Sequence, residues 1–350
     1  MGYARFVIGK TISYALALFA AVSLLYVGIY PTLQKVIEGS ADEAASDFQR
    51  NLVKNHSGLT VAQITQDVAT FKASYLAAFG FNQPFPIKFA LQMVNLFEFH
   101  LGSAFFLQAP NGSKQVIDII IAYLPNTIVL FTTGTLLVVA VGAIIGLLAA
   151  KSAGGKLDRT VPIIAVVHSS IPAFWIGFIL IAYFAYSLNV LPSGGISSVP
   201  PPTGILPSFV DFLAHLTLPL LSFFIVSVGG FAYVVRSLVV STMGEDFVTT
   251  ARARGMSERR MLFKHVLRTA SPAIATQTIL AVAGSFGGAI VLEVVFRWPG
   301  LGFLTFAAIG QNDLPVIIGS TFILTIILFL GLYIGELTYG FLDPRIKAGE

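Results

Sequence analysis

The residues whose types could form a nucleophile and its base are His168, Ser169 and Ser170. They follow one another inside a long apolar stretch. A hydroxyl nucleophile needs its base within hydrogen-bond reach, but consecutive residues of a helix point in different directions. The chain has no cysteine, which removes thiol catalysis, disulfides and cysteine metal sites together. We therefore predict no catalytic residue and no metal site. We expect these three residues, with Pro172 breaking the helix behind them, to lie along a pathway through a membrane.

The segment Ala4–Thr11, with the sequence ARFVIGKT, matches a permissive form of the phosphate-loop pattern. A phosphate loop needs a preceding strand and a glycine-rich backbone whose N–H groups cradle the phosphates. Here the first glycine is missing, bulky Phe6, Val7 and Ile8 occupy the cradle, and an apolar helix follows. We interpret Lys10 as a positive membrane anchor, and we expect this chain to bind no nucleotide or other cofactor.

The elements that must position these residues are membrane-spanning helices. Hydrophobic residues make up 55% of the 350 residues, 11% are charged, and the mean hydropathy is +0.82, outside the range of soluble globular proteins. A spanning helix needs about 20 mostly apolar residues. The charge-free stretches of that length are 11–30, 119–150, 160–210, 212–235, 269–292 and 314–335. The third is too long for one helix and its second half is rich in proline and glycine, so we predict one helix, Thr160–Leu188, followed by an irregular loop.

Basic residues near the helix ends set the orientation. If both termini face the cytoplasm, that side holds Arg5, Lys10, Lys151, Lys156, Arg159, Arg236, Arg252, Arg254, Arg259, Arg260, Lys264, Arg268, Arg345 and Lys347. The short outer loops then hold only Arg297. We predict an all-α polytopic protein of the cell (plasma or inner) membrane with six transmembrane helices, N-in and C-in. Residues 1–30 form the first helix, 31–118 an extracytoplasmic helical region, and 119–347 a five-helix core.

The extracytoplasmic region between the first two spans is long enough to fold. Ser40–His56 and Leu59–Phe79 mix polar and apolar residues without glycine or proline in their centres, which predicts two short amphipathic helices. Phe85–Phe106 is rich in aromatic residues but is interrupted by proline, glutamate and glycine. We therefore expect it to lie on the membrane surface rather than to span the bilayer.

The stretch Glu245–Pro272 is a charged island between two apolar segments. Phe247–Arg254 has the pattern of a short surface helix, and Gly255 can end it in a left-handed conformation that costs glycine little. Ser257 is suited to the N-cap of a second helix, whose apolar residues recur at helical spacing. A contact with a soluble partner is one interpretation of this loop. The other is a basic loop that only enforces topology by attracting anionic lipid.

The string Thr250–Gly255 (TARARG), preceded by Glu245-Asp246-Phe247 and followed by Pro272, resembles the cytoplasmic coupling loop of ABC importer permease subunits of the dipeptide and oligopeptide branch. The similarity covers residues Gly80–Lys347, and the chain is most similar to the subunit with the large outer region. Further matching strings are Leu124–Thr127 (LPNT), Gly146–Ala150 (GLLAA), Ile171–Trp175 (IPAFW), Leu191–Gly194 (LPSG), Glu293–Gly302 (EVVFRWPGLG) and Asp343–Arg345 (DPR). The loop departs from the wider family in having Thr-Thr-Ala where that family has Glu-Ala-Ala, and Ser-Pro where Leu-Pro is common.

The resemblance implies a transport permease without enzymatic activity of its own. Its implied partners are a second, homologous permease subunit, two cytoplasmic ATPase subunits that carry ATP and magnesium, an extracytoplasmic substrate-binding protein and the lipid bilayer, with no nucleic acid. In the family the short helix of this loop, here within 241–271, sits in a groove of the ATPase. The residues implied in ATPase coupling are Glu245, Asp246, Phe247, Ala251, Arg252, Ala253, Arg254, Gly255 and Met256.

The substrate path is predicted from two places in the chain. The resemblance implies that the Trp298–Gly302 turn faces the outer vestibule, and the residues themselves indicate a tight turn with an interfacial tryptophan anchor. The path residues are His168, Ser169, Ser170, Pro172, Trp298, Pro299 and Gly300. We expect Glu293 to be solvated near the outer face and Glu336 to lie toward the cytoplasmic end of the last span.

The transported substrate has several candidates. The resemblance favours peptides, but related importers carry oligosaccharides, nickel or glutathione, and specificity resides mainly in the separate receptor. A function of another class, a membrane sensor or scaffold, is also compatible with the residues. Residues 32–75 have no close counterpart in the family, and their role stays open.

Overall fold

The computed structural model describes residues 3–55, 60–78, 81, 83–285 and 290–342, and in these ranges the chain is helical apart from loops and an isolated β-bridge between Ser103 and Gln115. The helices are α1 (Tyr3–Asn55), α2 (Val61–Ala78), α3 (Phe85–Phe97), α4 (Val116–Lys151), α5 (Lys156–Ser170), α6 (Ala173–Leu180), α7 (Ile205–Met243), α8 (Asp246–Ala253), α9 (Glu258–Met261), α10 (Leu267–Ser285), α11 (Ile290–Val295), α12 (Leu301–Gln311) and α13 (Leu314–Leu342). Short π-helical segments, Ile181–Ser187 and Leu262–Val266, follow α6 and α9. The predicted all-α class is confirmed. The string Asp343–Arg345 lies outside the described residues.

The apolar helices are long enough for a polytopic membrane protein. Within the described residues, four can cross a bilayer by length and composition, and they are Ala4–Lys54, Val116–Lys151, Ile205–Met243 and Leu314–Thr338. The bent pair α5 and α6, with the π-helical segment after α6, makes a fifth if it crosses as one broken span. α10 covers most of the predicted fifth span 269–292. The count of six spans and the N-in, C-in orientation stay predictions.

The predicted single helix Thr160–Leu188 is wrong, because the chain breaks at Ile171 and Pro172. Ile171 is extended, with φ −103° and ψ 122°, and the two helical parts meet at an angle of 86°. Proline has no N–H to continue the helical hydrogen bonds, and it disfavours helical backbone in the residue before it. The turn brings Gly177 of α6 against the ring of Phe296.

The chain divides into two compact units. The large unit consists of Met1–Leu16, Ile120–Ala307 and Ile323–Glu350, and the small unit consists of Ala17–Ile119 and Ala308–Phe322. The predicted outer region 31–118 therefore falls entirely within the small unit.

In the large unit, α4 and α7 approach closely through glycine. A Cβ at Gly146 of α4 would collide with the carbonyl oxygen of Ala232 in α7, so only glycine fits there. Small residues allow helix backbones to come together in a membrane, where there is no hydrophobic drive between helices. Asp158 of α5 forms an ion pair with Arg236 of α7, with Oδ1 2.7 Å from Nε, and this pair holds α5 against α7. These contacts fix the helices from which the charged loop emerges.

In the small unit, the second half of α1 pairs with α2. α1 continues through Pro31 to Asn55 as one helix of 53 residues, so the separate helix predicted from Ser40 is the end of α1. α2 confirms the second predicted helix, and Thr60 and Gln63 form a capping box at its start. The rings of Phe48 in α1 and Phe71 in α2 stack with centroids 4.4 Å apart.

The loop between α3 and α4 is held by Asp313. This fully buried carboxylate accepts hydrogen bonds from the backbone N–H groups of Phe105, Phe106 and Leu107, at 3.0, 2.8 and 2.8 Å. A carboxylate with several backbone donors makes strong, charge-assisted bonds. Asp313 therefore fastens this loop to the turn between α12 and α13 inside the small unit.

Replacing Asp313 with alanine is expected to free this loop, because three backbone donors lose their acceptor at a cost of roughly 1–3 kcal/mol each. Hydrogen exchange of the amides of residues 105–107 in the purified protein measures the effect. The matched control is Asp67→Ala, an exposed aspartate of α2 in the same unit. Unchanged protection in Asp313→Ala would show that other contacts hold the loop.

Candidate functional site

α8 is the first helix of the charged loop, and its sequence favours a helix start at Asp246. Glu245 occupies the N-cap position with extended backbone, φ −76° and ψ 152°. Asp246 lies in the first turn, where a negative charge complements the helix dipole. Arg252 lies in the last turn, where a positive charge does the same. The predicted surface helix is confirmed with the bounds Asp246–Ala253.

Gly255 ends α8 in a Schellman motif. The N–H of Met256 donates to the carbonyl oxygen of Ala251 at 3.2 Å, and the N–H of Gly255 donates to that of Arg252 at 2.9 Å. This motif requires a left-handed residue, and Gly255 has φ +77°. A Cβ at Gly255 would lie in open space. The demand for glycine therefore comes from the backbone conformation and not from crowding.

Val248 anchors α8 to the body of the large unit. Val248 is completely buried, with 0% of its surface accessible. It belongs to an apolar cluster under the loop. We call this the sub-loop cluster, and its buried members are Val138, Ala150, Phe231, Val235, Val239, Val248, Met261, Leu262, Val266 and Ala270. These residues come from α4, α7, α8, α9, the π-helical segment after α9, and α10. Val248 therefore packs α8 against the ends of the long helices.

The second helix of the loop begins beside the first. Ser257 takes the N-cap position of α9, as predicted, but its side chain makes no capping hydrogen bond. Glu258 instead pairs with Arg252 of α8, with Oε1 2.9 Å from Nε. An exposed ion pair adds little stability, but this one joins the two helices across Gly255.

Most of the residues predicted to contact an ATPase are exposed on α8 and the turn that follows it, but Met256 packs against the sub-loop cluster. Ala251 and Met256 are half-buried, and the others are exposed, namely Glu245, Asp246, Phe247, Arg252, Ala253, Arg254 and Gly255. The surface has acidic groups at the start of α8, basic groups at its end and an exposed aromatic ring between them. Val248 is buried, so α8 is held to the large unit on one side and exposed on the other.

His168, Ser169 and Ser170 form the end of α5, just ahead of the break at Pro172. His168 is half-buried, and its Nδ1 has no hydrogen-bond partner in the part of the chain that the structure describes. Both serine hydroxyls donate to the same carbonyl of the preceding turn, at 3.0 and 2.8 Å. Both hydroxyls therefore donate to the backbone and not to His168.

The Trp298–Gly300 turn is held against α4 by Asn126. The indole N–H of Trp298 donates to the backbone oxygen of Asn126 at 2.9 Å, and the Asn126 side-chain amide donates to the oxygen of Pro299 at 2.7 Å. Trp298 is fully buried and packs against Phe212. The expected interfacial anchor is therefore wrong, because the indole N–H finds its acceptor inside the protein and does not need the lipid–water boundary.

Glu293 lies behind this turn and is fully buried. Its carboxylate accepts hydrogen bonds from the Thr127 hydroxyl at 2.8 Å and from the N–H of Phe303 at 3.0 Å. Thr127 in turn accepts the N–H of Leu301 at 2.7 Å, and a Cβ at Gly300 would collide with the carboxylate. The expectation of a solvated Glu293 is wrong, because the first turn of α12 supplies donors that replace water.

Glu336 pairs with Lys10, which joins the last long helix to the first inside the large unit. Thr11, which follows Lys10 directly, and Tyr333, one turn before Glu336, share a hydrogen bond of 2.6 Å. Lys10 therefore has a carboxylate partner within the protein, and its role as a positive membrane anchor stays a prediction.

The sequence reasoning missed the roles of Val248, Asn126 and Thr127. Asn126 and Thr127 are adjacent polar residues in the middle of an apolar span, and polar side chains at such positions need internal partners. That signal was available from the sequence. The burial of Val248 had a weaker signal, since it is an aliphatic side chain within a short polar helix. The residues predicted to line the substrate path form two groups, one at His168 and one at Trp298. No hydrogen bond joins these groups within the described residues, so the substrate path stays a prediction.

The comparisons with known proteins identify relatives across most of the chain. Residues 142–348 match the family described as the binding-protein-dependent transport system inner membrane component. The oligopeptide transport system permease protein AppB of Bacillus subtilis (strain 168) is 30% identical over 276 residues, which cover 79% of this chain and 85% of the relative. A probable peptide ABC transporter permease protein, y4tP of Sinorhizobium fredii, is 33% identical over 77% of this chain and 82% of its own length.

A third relative, the di/tripeptide transport system permease protein DppB of Pseudomonas aeruginosa, is 31% identical over 64% of this chain and 70% of its own length. The family match covers α8, the Trp298 turn and every buried member of the sub-loop cluster except Val138. The long apolar helices agree with a protein that crosses the membrane several times. The chain belongs to the family of binding-protein-dependent transport system inner membrane components, and it is a multi-pass ABC permease subunit of the plasma membrane.

Proposed function

We propose that this chain forms half of the translocation pathway of an ATP-driven peptide importer. The other half is a second, homologous permease subunit, peptides are delivered by an extracytoplasmic substrate-binding protein, and two cytoplasmic ATPase subunits carry ATP and magnesium. The peptide substrate is supported by the names of the relatives, which are oligopeptide, peptide and di/tripeptide permeases.

The observation that carries this function is the construction of α8. One side is buried through Val248, and the opposite side is exposed and ends in a fixed glycine turn. Such a helix can occupy a groove on an ATPase and move with it as a rigid body. Closure of the ATPase dimer on ATP then displaces the sub-loop cluster and shifts the populations of inward-open and outward-open states. Arg252 and Arg254 offer positive charge to acidic groups on the rim of that groove.

The substrate path is assigned, as part of this proposal, to the end of α5 and the Trp298 turn. Ser169 and Ser170 are exposed there, whereas the Nδ1 of His168 is buried next to Gly229 of α7. The backbone is irregular at Ile171 and Pro172, and irregular backbone at membrane depth is tolerated where it lines a cavity. The Pro299–Gly300 backbone is anchored by Asn126, so this part of the path stays in place.

Co-purification and uptake test the proposed function together. A tagged chain isolated from its own membranes is expected to bring down two ATPase subunits and a second permease. Vesicles containing that complex and its binding protein are expected to accumulate a labelled peptide only with ATP. Uptake of a sugar or nickel instead of the peptide would overturn the substrate assignment, and a chain that purifies alone would overturn the importer assignment.

A Gly255 series tests the coupling role of α8. Gly255→Ala forces a side chain into the left-handed conformation at a cost of about 1 kcal/mol, or a factor of about five in an equilibrium, whereas asparagine tolerates that conformation better. We expect peptide uptake to fall in the order Gly, Asn, Ala. Uptake by reconstituted complexes, with ATP hydrolysis recorded in parallel, measures this order.

The order separates two explanations, because asparagine is larger than alanine. If side-chain bulk at the ATPase contact were limiting, Asn would be worse than Ala. Equal uptake in all three proteins would contradict a coupling role for this turn. Gly230→Ala serves as the control, since Gly230 has open space around it and ordinary helical backbone in α7.

A further inference from the structure

A cavity of about 350 Å³ lies inside the small unit. Its walls come from the second half of α1, from α3, from the loop after α3 and from the start of α13. The lining residues used below are Tyr26, Phe81, Lys88, Leu91, Gln92, Asn95 and Ser103. This volume is within the range of small-molecule binding sites, and the permease function gives the cavity no role.

Lys88 supplies the charge of this cavity. Its ammonium lies 4.4 Å from the ring centroid of Phe81 and 5.0 Å from that of Tyr30, and it donates a hydrogen bond to the Tyr30 hydroxyl. Aromatic faces attract a cation but carry no formal charge. Lys88 forms no ion pair with a carboxylate among the residues that the structure describes, and its contacts there are with aromatic rings and the Tyr30 hydroxyl. The cavity therefore presents an ammonium group whose charge is not neutralised.

The other lining groups select against a cationic ligand. Within the described residues, the cavity walls contain no aspartate or glutamate. Gln92, Asn95 and Ser103 add neutral hydrogen-bonding groups near the charge, and the remaining walls are largely apolar. A ligand that fits carries a negative group attached to an apolar body, and it gains nothing from an ammonium group of its own.

The cavity lies at the depth of a lipid headgroup. The uncharged stretch 11–30 of α1 spans roughly 30 Å at 1.5 Å per residue, which is the thickness of the hydrocarbon layer. Tyr26 and Tyr30 therefore lie near the membrane boundary farther from the N-terminus, where aromatic belts occur. Lys88 is adjacent to Tyr30, so it occupies the same level.

The neighbouring helix α3 has the properties of an interfacial helix. Its 13 residues are too few to cross a bilayer. It exposes a row of large apolar side chains, namely Phe85, Ile87, Leu91, Val94 and Phe97. A helix of this kind lies in the boundary with its apolar side toward the acyl chains. Leu91 belongs both to this row and to the cavity wall, so the cavity is continuous with a lipid-facing surface.

We propose that this cavity is a binding site for an anionic phospholipid of the leaflet farther from the N-terminus. The phosphate lies at Lys88, Gln92 and Asn95 bind the headgroup oxygens, and one acyl chain follows Leu91 along α3. Zwitterionic phospholipids bind less well, because their headgroup cation meets Lys88 and finds no carboxylate in the cavity wall. The bound lipid joins α1, α3 and the loop held by Asp313 into one surface.

Photolabelling of the complete transporter in lipid nanodiscs tests this site. The probe is phosphatidylglycerol with a diazirine on one acyl chain, and phosphatidylcholine with the same chain is the comparison. We expect label in residues 85–105 to be about fivefold higher with phosphatidylglycerol. Lys88→Gln is expected to remove this preference, and the control Lys114→Gln, an exposed lysine of the same unit outside the cavity, is expected to retain it.

Three results would overturn the proposal. The first is equal labelling by the two lipids in the unmodified transporter, which needs no variant to fold. The second is a phosphatidylglycerol preference that Lys88→Gln leaves unchanged while its thermal stability matches that of Lys114→Gln. The third is protection of the site by soluble glycerol phosphate at the same concentration as the lipid, which would assign it to a free phosphate compound instead.

Discussion

Val248→Asp is expected to abolish peptide import while leaving the membrane-spanning helices in place. The side chain is completely buried in the sub-loop cluster, and an unpaired carboxylate there costs several kcal/mol. Detachment of α8 is the change that exposes the carboxylate at the lowest free-energy cost, because α8 is a single helix of 8 residues with no other buried side chain. ATP hydrolysis should then continue without driving uptake. Parallel measurement of the two rates in reconstituted vesicles checks this.

Thr249→Asp is the matched control, since it places the same charge one position away on an exposed side chain. We expect it to retain most of the uptake. The pair Val248→Ala and Thr249→Ala repeats the comparison without a new charge, and Val248→Ala should show a smaller loss than Val248→Asp. Equal losses at the two positions in both pairs would mean that the anchoring of α8 is not what limits transport.

Glu293→Ala is expected to destabilise the transporter and to reduce uptake strongly. It leaves the Thr127 hydroxyl and the Phe303 N–H without their acceptor in a buried site, at roughly 1–3 kcal/mol for each group. Because Thr127 also holds the N–H of Leu301, the first turn of α12 and the Trp298 turn lose their support together. The midpoint of thermal unfolding of the purified complex, followed by uptake, measures both consequences.

Glu293→Gln provides the graded comparison, since the amide keeps the shape and one acceptor oxygen. We expect its unfolding midpoint to lie between those of the unmodified protein and Glu293→Ala. Combining Glu293→Ala with Thr127→Val should cost less than the sum of the two single changes, because both break the same network. Additive effects would show that Thr127 and Glu293 act independently.

The coupling loop was predictable from the sequence because its signals are local. A run of charged residues, an acidic helix start and a glycine at the helix end determine α8 within a few residues, and Gly255 adopts the left-handed conformation that this pattern requires. The all-α membrane class was equally accessible, since 55% hydrophobic residues in long charge-free runs leave few alternatives. The second predicted outer helix was also recovered, as α2.

The roles of Glu293 and Trp298 could not be obtained in this way, because burial depends on residues far apart in the chain. Their partners are Asn126 and Thr127 in α4, more than 160 positions earlier, and no periodicity connects such positions. A glutamate or a tryptophan at the end of a span is more often at the boundary than inside, so composition alone favoured the wrong environment.

The sequence by itself determined the membrane class, the charged loop and the helix-ending glycine, because each follows from the chemistry of neighbouring residues. The tertiary structure decided which side chains form the contacts that hold the helices together. It placed Val248 in the sub-loop cluster, turned the chain by 86° at Pro172, and enclosed Glu293 among donors from α4 and α12. It also brought Lys88 to the aromatic wall of the small-unit cavity. These outcomes depend on which helices pack together, and packing is a property of the whole chain.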